Sequence, residues 1–206
     1  MPFELPLPGV DERLARQLAF VRTLDALKQV YRQTILLDGS RRENSAEHSW
    51  HLAMMVPLLL EYAATPGLDR ERVLRLVLLH DVVEIDAGDV LCYDEAARAL
   101  QPAREARAAE RIFGLLPPEQ AAELHALREE FEAQATPAAQ FAAALDRFQP
   151  LLHNYCTQGH AWRRHGIKRS QVLARNAHIG RGAPRLWELA QRMIDDAVAR
   201  GWLADG

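Results

Sequence analysis

The chain has 206 residues, 49% of them hydrophobic and 26% charged, with 25 basic and 28 acidic side chains and a formal net charge of −3. That length suits one domain with a real core, and the composition is that of an ordinary globular protein. The balanced charge argues against a surface that coats nucleic acid, because polyanion binding needs a concentrated basic face. A local pocket for one phosphate group is still compatible with it.

Residues 1–10 lack a basic stretch followed by an apolar one, so no secretory signal is expected there. The longest apolar run, residues 52–60, is too short to cross a membrane. Cys92 and Cys156 fit neither a zinc-ligand nor a redox spacing and read as reduced thiols, which points to a cytoplasmic location.

Leu14, Leu18, Val21, Leu24, Leu27, Val30 and Tyr31 recur every three to four residues, which predicts a helix over 10–37, stopped by Asp38-Gly39-Ser40. Asn44 followed by Glu47 is a capping-box pattern opening a second helix that reaches to about residue 64, with Pro57 inside it. Asp69 caps a third, apolar nearly all round from Val73 to Val83; such a helix belongs at the centre. Between Asp94 and Gln134 an Ala/Arg/Glu-rich stretch, broken at Pro117-Pro118, predicts two amphipathic helices near the surface. Thr136 as N-cap with Pro137 at the first helical position starts another helix, which continues through Phe141 to Leu145. Pro184 opens the last helix and Gly201 ends it. No segment reads as a strand. No repeat or linker divides the chain, so the expectation is an all-α bundle forming a single domain over 1–206.

Three ionisable residues, His80, Asp81 and Glu84, interrupt the most apolar helix. Positions 80 and 84 share a face, and 81 and 84 are neighbours one turn apart. A buried carboxylate needs a proton, a cationic partner or a metal. Asp146, directly after the apolar run ending at Leu145, is a second such anomaly. Its neighbour Arg147 projects about 100° away on a helix and is a doubtful partner. Singly, each of these residues has a structural explanation, and His48 is as easily a capping or surface histidine. Together they suggest a mixed imidazole and carboxylate site for one divalent transition metal: Mn, Co, Fe, Ni or Zn.

In this order, His48, then His80-Asp81, then Asp146 resembles the signature of the HD superfamily of metal-dependent phosphohydrolases. The segment from Arg42 to Ser49 resembles the first-ligand segment of the HD-domain 5′-deoxynucleotidases. His80-Asp81-Val82-Val83-Glu84 with Gly88-Asp89 resembles their second segment, and Leu145-Asp146-Arg147 their last. The similarity covers roughly residues 15–200. It implies an HD-type helical bundle in which His48, His80, Asp81 and Asp146 hold the metal. Glu84 and Asp89 would orient the attacking water or accept its proton. The implied reaction releases phosphate from nucleoside 5′-monophosphates, by a protein that binds neither nucleic acid polymer nor membrane and forms a homodimer.

One departure stands out. The resembling nucleotidases carry an arginine and a tryptophan before the first ligand; at that distance this chain has Gln33-Thr34, with Arg32 adjacent. The phosphate contact therefore falls to Arg32, Arg41 or Arg42, and discrimination against ribose is expected to be weaker. Two other functions share the scaffold. A di-iron oxygenase would need extra ligands between Asp81 and Asp146, where His125 is the one histidine. A non-catalytic metal- or nucleotide-binding module would have no need of Glu84 and Asp89. His51, one turn from His48, fits either a place at the site or packing against the third helix. Trp50, Trp162, Trp187 and Trp202 read as packing residues.

Overall fold

The computed structural model describes residues 9–206, so the N-terminal stretch for which no secretory signal is expected lies largely outside them. Helix α1 (Glu12–Leu24) starts under Asp11, whose carboxylate accepts from the Leu14 N–H. A 3₁₀ turn (Asp25–Gln29) follows, and the chain then becomes extended. Strand β1 (Tyr31–Ile35) pairs antiparallel with β2 (Arg42–Asn44), Tyr31 opposite Asn44 and Ile35 opposite Arg42, with an irregularity between. The helix expected over 10–37 is thus corrected: it ends at Leu24, and a small hairpin replaces its second half. Arg32 and Thr34 are buried while Tyr31 is exposed, the alternation of a strand. At the turn, Asp38 accepts from Ser40 through both backbone N–H and hydroxyl, and Gly39 takes the left-handed conformation with φ +73.

Helix α2 (Ser45–Leu59) opens with the capping box of Asn44 and Glu47. It gives way to a 3₁₀ turn (Leu60–Tyr62) just past Pro57, short of the expected residue 64, because proline removes a donor from the last turn. Helix α3 (Arg70–Leu79) is capped by Asp69 and buries Val73, Leu76, Val77 and Leu79. Leu78 is 50% exposed, so this helix is less enclosed than its apolar run suggested. A tight turn leads into α4 (Glu84–Ala87), which ends at Gly88 with φ +74. Helices α5 (Glu95–Phe113) and α6 (Pro118–Ala133) are the two amphipathic segments.

Helix α7 (Pro137–Cys156) is the axis of the molecule, with Phe141 through Asp146 continuously buried. It packs against α2, α3, α6 and β1 and against three later helices, α8 (His160–Arg164), α10 (Ile179–Gly182) and α11 (Pro184–Ala199); α9 (Arg169–Asn176) packs on α11. One hydrophobic cluster runs from Leu27 to Leu203 through all these layers. No helix among the described residues is long and apolar enough to cross a membrane.

Gly182 lies so close to α7 that an added Cβ would be 2.1 Å from the Gln140 carbonyl oxygen and 2.9 Å from the Phe141 nitrogen. Both are backbone atoms that no rotamer change can move. Gly182→Ala is expected to cost about 1–3 kcal/mol of stability, read by urea denaturation. An unchanged midpoint would show that α10 is free to slide.

Candidate metal centre and active site

The turn after α3 and the middle of α7 bring the two sequence anomalies together, and the capped start of α2 adds His48. All three positions are buried, with His48 at 0% exposure. His48 Nε2 lies 3.1 Å from Asp146 Oδ1, and His80 Nε2 lies 3.5 Å from the same oxygen and 3.0 Å from Asp81 Oδ1. On their far edges both rings are anchored. His80 Nδ1–H donates to the Val77 carbonyl at 2.8 Å, and His48 Nδ1 faces Gln149 Oε1 at 3.1 Å. This leaves each Nε2 aimed into the centre, the orientation that outer partners impose on metal-binding imidazoles. His80 Nε2 is buried yet has no hydrogen-bond partner among the described residues. Ligand atoms of His48, His80 and Asp146 all lie within 4.8 Å of one another. Asp81 stands at the edge of this group, its Oδ2 accepting from Arg32 at 2.6 Å. Two anchored nitrogens and two carboxylates make a donor set that fits a divalent cation.

The charges explain the pKa pattern. Burial works to discharge Arg32, but Asp81, Glu84, Asp89 and Asp146 outweigh it and raise its pKa. Burial likewise opposes a charged His80, yet Asp81 and Asp146 lift its pKa well above the usual imidazole value. Asp146 resists burial through Arg147, His48 and His80, which hold it well below the carboxylate range, and Asp81 is lowered by His80 and Arg32 in the same way. Glu84 behaves oppositely: burial and the nearby Asp81 raise it well above its ordinary value, against Arg32 and a 2.7 Å hydrogen bond from the Ser45 hydroxyl. Asp89 is also raised, by burial and Asp81.

A cavity of about 460 Å³ opens over this floor, with Glu84 and Asp89 on its wall. Arg147, Arg175, His178 and Arg181 line it as well. His178, pushed down to about 4 by burial and by Arg147 and Arg175, is neutral there at physiological pH. A smaller recess of about 80 Å³ adjoins it, sharing Arg32, Asp89 and Arg147 and lined further in by Tyr93, Leu151 and Trp162. Gln33 and Thr34 of β1 also border this recess.

Of the three arginines singled out as phosphate contacts, the structure brings one to the site. Arg32 is buried beside Asp81. Arg41 pairs through its two terminal guanidinium nitrogens with Glu47 at the surface, and Arg42 donates to the Arg32 and Tyr31 carbonyls. Arg147, read as a doubtful partner, reaches back so that its Nε lies 3.4 Å from Asp146 Oδ2. A single 100° step along a helix describes where a side chain starts, not where a long one ends. Trp162 is buried and borders the recess, whereas Trp50 is 64% exposed and does not pack as expected. His125 sits edge-on against Phe113, with ring centroids 5.1 Å apart. The signal for Arg147 was present beside Asp146; nothing local marked Tyr93, Trp162, Arg175 or Arg181.

Comparison with known proteins fits this architecture. The HD domain family model matches residues 24–187, and the chain belongs to that family. Human 5′-deoxynucleotidase HDDC2 is 31% identical over 136 residues, which is 66% of this chain and 65% of the human protein, so the match spans just under two thirds of that relative's length. The 5′-deoxynucleotidase hdd1 of Schizosaccharomyces pombe is 28% identical over 145 residues, 66% of this chain and 71% of the yeast protein. A crystal structure from Magnetospirillum magnetotacticum, titled a predicted metal-dependent phosphohydrolase, is 51% identical with a TM-score of 0.88, covering 94% of this chain and 100% of that one. A conserved hypothetical protein of Pyrococcus furiosus shares the fold at 21% identity and a TM-score of 0.57, covering 88% of this chain and 99% of that one.

Removing the Arg32 guanidinium deprives buried Asp81 of its cationic hydrogen-bond partner. In metal-free protein, Arg32→Met is expected to cost about 3–5 kcal/mol, with part of the loss recovered on adding Mn²⁺. Arg41→Ala, at the surface, is expected to cost under about 1 kcal/mol. Denaturation with chelator and with Mn²⁺ checks both; equal effects would deny Arg32 its electrostatic role.

Proposed function

We propose that this protein is a metal-dependent phosphohydrolase releasing phosphate from nucleoside 5′-monophosphates, with His48, His80, Asp81 and Asp146 holding one divalent transition ion. The observation that carries this reading is the convergence of His48, His80 and Asp146, with His80 and Asp146 lining a cavity that Glu84 and Asp89 also line and His48 buried behind them. The family membership and the names of the relatives support it. Mn, Co, Fe, Ni or Zn suits this donor set; when bound, the ion polarises the phosphoryl group and makes water easier to deprotonate.

The protein's own side chains do the rest. Arg32, a permanent cation at the junction of both cavities, receives phosphoryl oxygens and offsets charge that grows on them in the transition state. Arg147 lines the same space. Glu84, with its pKa lifted above the carboxylate range, is suited to take the proton of the attacking water and pass it to the departing 5′-oxygen. Asp89 shares that task across the cavity. The larger cavity has the volume to receive the nucleoside, and the recess beside it, lined by Tyr93, Leu151 and Trp162, has room for only a part of it such as the sugar.

Thr34 and Gln33 at the recess wall bear on sugar choice. A 2′-hydroxyl is poorly rejected unless an apolar wall or an unpaired polar group penalises it, and neither residue supplies a large apolar face. Ribo- and deoxyribonucleotides are therefore both expected to be substrates. The oxygenase reading lacks support, because His125 is engaged with Phe113 rather than the cavity.

Phosphate release from matched ribo- and deoxynucleoside monophosphates tests the reading. Glu84→Gln is expected to keep its metal and lose about a hundredfold or more in turnover, whereas Asp81→Ala loses both. The base works deprotonated, so kcat/KM should rise with pH through the Glu84 pKa and lose that limb in Glu84→Gln. No release from any nucleoside monophosphate by metal-loaded protein would overturn the function, and full turnover by Glu84→Gln would overturn the role of that residue.

A further inference from the structure

On the far edge of the His48 ring lies a second convergence that the proposed reaction does not use. Glu43 of β2, His51 of α2 and His153 of α7 each place a ligand atom within 4.8 Å of the other two. All three point at a single atom, the side-chain nitrogen of Gln149, at 2.7, 3.3 and 3.1 Å. The His153 Nδ1–H donates to the Ile35 carbonyl at 3.2 Å, so its Nε2 presents a lone pair. An amide nitrogen has two hydrogens, and here three acceptors compete for them. Glu43 Oε2 adds to the shortfall: Glu43 is 2% exposed, and this oxygen has no hydrogen-bond partner among the described residues. It lies 3.6 Å from His48 Nδ1. Buried acceptors in excess of donors are costly unless something positive joins them.

We propose that Glu43, His51 and His153 bind a second divalent transition cation, with the Gln149 side-chain nitrogen moving out from between them. Their ligand atoms lie within 4.8 Å of one another, and a tetrahedral ion with bonds of about 2.0–2.2 Å has donor–donor edges of about 3.4 Å, so the three close in on it as the amide leaves. Two imidazoles and a carboxylate select zinc- or cobalt-like ions over magnesium or calcium, which prefer all-oxygen shells. His51 is partly exposed and gives the ion its way in.

Co²⁺ titration, followed by visible absorption and by metal content, tests this. Wild-type protein is expected to take up two equivalents. His80→Ala, disabled at the proposed catalytic centre, should keep one, with the intense absorption of a tetrahedral ion. His51→Ala, at the partly exposed rim where folding is least at risk, should bind that equivalent about tenfold or more weakly; circular dichroism confirms that it folds. One equivalent in the wild type, or none in folded His80→Ala, would overturn the second site. Wild-type protein with two equivalents and no phosphate release would instead overturn the proposed function and leave this site standing.

Discussion

Arg32 is buried among Asp81, Glu84, Asp89 and Asp146, and the electrostatics of the site turn on that placement. Four carboxylates cannot share a pocket of low polarity without positive charge, and Arg32 supplies one that never titrates away. Its position accounts for the split in behaviour between the acids. Asp81 and Asp146, closest to the cations and imidazoles, are driven toward ionisation, whereas Glu84 and Asp89 are left with raised pKa values. Pairs of acids pushed apart in this way are how a single pocket comes to hold both ligands and proton carriers.

How much of this could be read from the sequence depended on whether a residue stood out from its own neighbourhood. His80 and Asp81 were legible because they break an apolar helix, and Asp146 because it follows one. The caps at Asn44, Asp69 and Thr136 were legible because capping chemistry is local. The hairpin was not, because Leu27, Val30 and Tyr31 happen to continue the helical spacing of α1 past its end. Arg32 was singled out through the resemblance, but its burial was not legible, because that depends on a strand alternation that the helical reading erased. The Glu43, His51 and His153 cluster joins residues from opposite ends of the chain, so no window of sequence contains it.

The wall of the site joins the core differently from its floor. Helix α7 carries Asp146 within a continuous apolar face. Helices α5 and α6 contribute Glu105 and Glu132 to the cavity and bury Ile112, Phe113, Leu127 and Phe131 in the common core. Ion pairs add to that packing: Arg72 with Glu130, Arg75 with Glu123, Arg111 with Asp86 and Arg128 with Glu105. Those at the surface contribute little and weaken with salt. The acidic wall of the cavity thus stands on the same core that carries its ligands.

Arg42, turned away from the cavity, has a consequence for what happens inside it. Its guanidinium clamps the carbonyls of Tyr31 and Arg32, across a ribbon whose pairing is already irregular between Tyr31 and Ile35. Side chains on a strand alternate sides, so sliding β1 by one residue would present Gln33 where Arg32 belongs. The pocket would then exchange its permanent positive charge for a neutral amide without any change in composition. In a ribbon of two short strands, this clamp works as a registration pin, and the alignment it enforces decides the net charge of the site.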